Sequence, residues 1–126
     1  MSPDKSASLF TIGDDLLIAA QHENDRAAED VVTHLICVNS RQSISNYLAG
    51  FLIRKNIEVI HPVSLASLLQ QCKSVDARFD SLDLSQMYCR EHTHDKDYCL
   101  GQEQVEECIK VAQHARSIVM SDTPAY

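Results

Sequence analysis

Ser40-Arg-Gln-Ser-Ile-Ser-Asn-Tyr-Leu-Ala-Gly-Phe-Leu-Ile-Arg-Lys-Asn56 decides the fold class. Within it Ile44, Tyr47, Leu48, Phe51 and Leu52 recur at i, i+3, i+4, i+7 and i+8, the spacing of one apolar stripe on an α-helix. Asn39-Ser40 precedes the stripe as a natural N-cap pair, and the pattern fades after Lys55-Asn56.

Working outward, the same period appears on both sides. Upstream, Leu16, Leu17, Ala20, Ala27, Ala28, Val31, Val32, Leu35 and Ile36 share a broad face, which predicts one long helix over 14–38 with a polar, kinkable middle at 21–26. Downstream, His61-Pro62 restarts the chain, with Pro suited to a first helical turn. Leu65, Leu68, Leu69, Cys72, Val75 and Phe79 then line a third face. Residues 80–100 break the period, and a connection of that length in a small domain is often functional. From Gly101 a last helix carries Val105, Cys108, Ile109, Ala112 and Val119 on one face and ends near Met120. The expected architecture is all-α, an up-and-down antiparallel bundle of four main helices with a long irregular loop before the last. One domain spans 1–126, with flexible tails at 1–10 and 121–126.

Composition agrees. At 126 residues the chain can bury a core without staples. Three Gly and three Pro are too few for the frequent turns of a sandwich or barrel. A formal charge of -7 disfavours non-specific binding to nucleic acid, since the phosphates repel it. The polar start Met1-Ser-Pro-Asp-Lys-Ser6 leads into no apolar core of a signal peptide, and no run approaches a membrane span. A cytoplasmic protein is expected. Of five cysteines, Cys37, Cys72 and Cys108 hold helical apolar positions where a thiol behaves as a small hydrophobe, and all are expected to be reduced.

Helices two and three carry a further pattern. The 40–56 stretch, followed by His61-Pro-Val-Ser-Leu-Ala-Ser-Leu-Leu69 and preceded by a first helix with spaced alanines, resembles the HEPN domain (higher eukaryotes and prokaryotes nucleotide-binding). The likeness runs from about Asp14 to Met120 and rests on helix order. It implies a homodimer, or pairing with a nucleotidyltransferase-like protein as in toxin–antitoxin systems, and binding of a nucleotide or RNA. Where the family often has Glu-Lys in its second helix this chain has Ser45-Asn46. The ribonuclease branch carries Arg, four to six residues, then His near the last helix. Here that helix offers His114-Ala-Arg116, reversed and too close, and Arg90 stands too near His92 and His94. Only Arg54 and His61, with six residues between them, satisfy the interval, and they straddle a helix end.

The candidate chemistry is therefore narrow. The catalytic candidates are Arg54 with His61 or, as a second displaced pair, Arg90 with a loop His such as His92, in each case a cation for the phosphate and an imidazole for general acid–base work. Arg41, Arg54, Lys55, His61 and Arg90 are the candidates for holding a nucleotide, with Arg suited to bidentate phosphate contact. The plainer alternative is a solvated polar face. Cys89, His92, His94 and Cys99 offer four zinc-type ligands within eleven residues, although Cys-x2-His-x-His-x4-Cys matches no familiar zinc module. The plainer alternative there is a polar surface loop, and a reversible Cys89–Cys99 disulfide is a third. No cofactor other than such a zinc is expected. His22, His34 and His114 read as surface or boundary residues, and Asp14-Asp15, Glu29-Asp30 and Glu106-Glu107 as ordinary solvated acids. Three functions follow: a HEPN-type binding module without ribonuclease activity, a metal-independent ribonuclease with a displaced Arg/His pair, or a zinc-stabilised interaction domain.

Overall fold

The computed structural model describes residues 3–26, 33–60, 64–84 and 102–121. Four α-helices follow in order: α1 (Pro3–Asn24), α2 (Thr33–Arg54), α3 (Leu65–Val75) and α4 (Gln102–Ser121), with a 3₁₀ turn at Ala77–Ser81 after α3. There is no strand among the described residues, and the all-α class holds. None of the described helices is long and apolar enough to cross a membrane.

Side-chain pairings fix the directions. Gly13 meets Tyr47 and Phe10 meets Gly50, so α1 and α2 run antiparallel. Asp14 pairs with Arg116 and Asn24 donates to Glu106 at 3.1 Å, so α1 and α4 are antiparallel too. It follows that α2 and α4 are parallel, and Arg54 near the end of one reaches Val119 near the end of the other. α2 is the central element, packing on all three other helices. Its Ile44, Tyr47, Leu48, Phe51 and Leu52 are all fully buried, as the opening stripe requires.

Two boundaries differ from the sequence reading. The segment expected as a tail through residue 10 is helical from Pro3, and Ser6 is already buried. Pro fits a first turn, and packing of Phe10 against α2 supplies what local propensity does not. The long first helix expected over 14–38 is instead two helices. α1 ends at Asn24, where the amides of Asp25 and Arg26 turn back onto Gln21, His22 and Glu23.

α2 then begins at Thr33, which places the expected cap pair Asn39-Ser40 inside a helix. Ile36, Cys37 and Ser40 are buried on the same face as Ile44. That continuous buried face outweighs the few tenths of a kcal/mol by which Asn and Ser disfavour a helix interior.

The end of α2 is where the sequence places it, and the reason is local. Asn56 adopts φ 62, the left-handed region that Asn tolerates better than most residues. Its amide bonds to Ile53 O at 2.9 Å and that of Ile57 to Leu52 O at 2.8 Å, the paired bonds of a Schellman cap. α3 starts at Leu65 rather than at Pro62, with Ser64 and Ser67 closing a reciprocal capping box. Its Leu65, Leu68, Leu69 and Cys72 are buried as expected. Phe79, in the 3₁₀ turn, packs edge-on against Phe51 with ring centroids 4.8 Å apart.

The cysteines divide. Cys72 and Cys108 are buried thiols, in keeping with their apolar positions. Cys37 is equally buried, at 2% exposure, but it is disulfide-bonded, which corrects the expectation that it is reduced.

Candidate functional site

Among the described residues, two of the cations nominated as phosphate ligands, Arg41 and Arg54, stand far apart. Arg41 and Arg54 lie on one helix, thirteen residues apart, and at 1.5 Å per residue that is about 20 Å along the axis. One phosphate cannot touch both. His61 and Arg90 lie outside the described residues, and so do Cys89, His92, His94 and Cys99. Among the described residues no group of three or more His, Cys, Asp or Glu converges to hold a metal.

Arg54 has a structural task. Its Nη2 donates to the carbonyl of Val119 at 2.9 Å, and its guanidinium lies 4.9 Å from the centre of the Phe10 ring. Arg78, which the sequence reading passed over, donates from Nη1 to Ile118 O at 3.3 Å. Both carbonyls belong to the last turn of α4, the negative end of the helix dipole. The last turn of α4 has no basic residue of its own, so two arginines from elsewhere supply the donors and the positive charge that a helix C-terminus favours. Asp76 holds the side chain of Arg78 in place at 2.6 Å, and that hydrogen bond keeps the Asp76 carboxyl below its ordinary range. Lys55 stacks on Phe51 at 5.6 Å.

A different set of residues does converge. Asp14 Oδ1 accepts from the Tyr47 hydroxyl at 2.6 Å and from Arg116 Nε at 2.8 Å, joining α1, α2 and α4 at one oxygen. The sequence reading counted Asp14 among the solvated acids; it is a joint between helices. Burial first, and the Asp14 hydrogen bond second, push the Tyr47 phenol far above its ordinary range. The same carboxylate holds Arg116 deeper in its charged form. Beside this joint runs a groove of about 390 Å³ between α1 and α4, lined by Asp14, Leu17, Ile18, Gln21, Gln113, Arg116 and Ser117. Leu17 belongs to the core, while Ile18 is 52% exposed on the rim. Nothing in the sequence marks this set, because its members lie on three helices and up to 102 residues apart.

One further contact has the look of a dyad. Ser81 Oγ lies 2.8 Å from His114 Nε2, over a small cleft that Asp83, Glu107 and Lys110 also line. Ser81 has one hydroxyl proton, and Arg78 O, 2.9 Å from Oγ, is a second acceptor within its reach. The hydroxyl can turn toward either acceptor, so the direction of its bond to His114 follows the imidazole tautomer. Among the described residues, no carboxylate is hydrogen-bonded to the imidazole as the third, orienting group of a nucleophilic triad. No protein-family model, no curated protein and no solved structure matches this chain.

Proposed function

We propose that this chain is a HEPN-like helical module that acts by binding a protein partner, and that it lacks ribonuclease activity. One observation carries the reading. Arg54, half of the only Arg/His pair with the family's spacing, spends its guanidinium on Val119 O and the Phe10 ring. A cation committed to a helix end is poorly placed to serve a scissile phosphate. The groove beside Asp14 and Arg116 supports the binding half, since an exposed isoleucine among amide, hydroxyl and guanidinium groups is the mixture found in protein interfaces. The partner we favour is a nucleotidyltransferase-like protein encoded nearby, with the chain itself a homodimer, as in toxin–antitoxin pairs.

The test has two arms. Calorimetric titration with a nucleotide panel and incubation with labelled RNA should give neither heat nor cleavage. Cleavage that vanishes in His61→Ala would overturn the proposal in favour of the ribonuclease. Coexpression with the neighbouring protein should give a complex that co-elutes on size exclusion. Ile18→Asp should abolish it while leaving the helical circular dichroism intact. A complex indifferent to Ile18→Asp removes the groove from the proposal.

A further inference from the structure

We draw no further inference here: the strongest candidate, the disulfide-bonded Cys37 buried on the inner face of α2, carries nothing because its second cysteine is not among the described residues.

Discussion

The ring of Tyr47 stands 2.7 Å from where a Cβ on Gly13 would lie, so α1 and α2 approach as closely as they do only because residue 13 has no side chain. A second pair repeats the arrangement in reverse. Gly50 on α2 would bring a Cβ to 2.8 Å from the Phe10 ring on α1. The hydroxyl of Ser43 bonds to Gly13 O at 2.7 Å, which fastens the contact between the two glycine–aromatic pairs to the backbone.

Gly13→Ala should therefore destabilise the protein. Alanine gains roughly 1 kcal/mol of helix propensity over glycine, but overpacking a tight site costs about 1–3 kcal/mol. The Tyr47 ring cannot step aside without losing Asp14. A net loss of up to about 2 kcal/mol is expected in urea unfolding. Gly50→Ala should cost less, because the Phe10 ring, unlike that of Tyr47, is only partly buried. A stabilised Gly13→Ala would mean that the helices separate freely.

Tyr47→Phe tests the joint at Asp14. At neutral pH it should cost about 1–2 kcal/mol, toward the lower end for a bond to a charged acceptor. Asp14 keeps Arg116 and some access to water, with its side chain 33% exposed. Arg116→Ala should cost less than 1 kcal/mol, the usual worth of an exposed ion pair. The folded-state phenol pKa is raised, so its contribution is complete below the unfolded value of about 10. Above that pH the unfolded chain gives up its proton while the native protein keeps it, and stability falls. The gap between wild type and Tyr47→Phe should narrow as pH climbs past about 10. Unfolding curves at a series of alkaline pH values measure it.

How much of this was legible follows from where each signal lives. The stripe of Ile44, Tyr47, Leu48, Phe51 and Leu52 is local, so the class and the central helix could be read directly. The end of α2 could be read as well, because Asn56 acts through its own backbone. The start of α2 could not. Asn39 and Ser40 look like a cap in isolation, and only burial of Ile36 and Cys37 on the same face carries the helix through them. The Asp14, Tyr47 and Arg116 joint is invisible for a stronger reason. None of the three is unusual in its own segment, and their meeting is a property of the packed helices.

Ser40 supplies a prediction of the opposite sign. Its Oγ is fully buried and, among the described residues, has no hydrogen-bond partner. An orphaned buried hydroxyl carries a desolvation penalty of about 1–3 kcal/mol. Ser40→Ala removes the hydroxyl, leaves the methylene carbon in place as a methyl, and improves helix propensity. The variant should be as stable as wild type or more so, by up to about 1 kcal/mol in denaturant unfolding. A loss above that would reveal a partner for the hydroxyl.

The cysteines separate by chemistry. Combined digestion with trypsin and a glutamate-specific protease gives each cysteine its own peptide. After blocking of native thiols, mass spectrometry should recover Cys37 in a disulfide that a reductant releases. Cys72 should resist alkylation until the protein unfolds, because burial, assisted by Asp76, pushes its thiol up to about 12 and the thiolate is the reactive form. Should the map join Cys37 to Cys89 or Cys99, the proposed zinc set loses one of its ligands, and metal analysis of protein purified without added metal should find none. Cys37 recovered as an alkylated thiol would restore the reduced state expected from the sequence.

Arg54 decides between a structural and a phosphate-binding cation. If it serves the end of α4, Arg54→Ala leaves the carbonyl of Val119 without its donor and strips the cation from the Phe10 ring. The sum should be about 1–3 kcal/mol, and the loss should persist in moderate salt because the carbonyl bond is only partly exposed to solvent. Arg54→Lys should recover little of it, since an ammonium lacks the planar fork that bonds a carbonyl while stacking on a ring. Arg78→Ala should act on the same helix end, and the double variant should be less than additive, because both donors serve adjacent carbonyls. A phosphate ligand would behave otherwise. Its removal would leave stability unchanged or raised, and would weaken nucleotide or RNA binding with a salt-dependent slope. Thermal unfolding of the four variants, with and without a nucleotide panel, distinguishes the two.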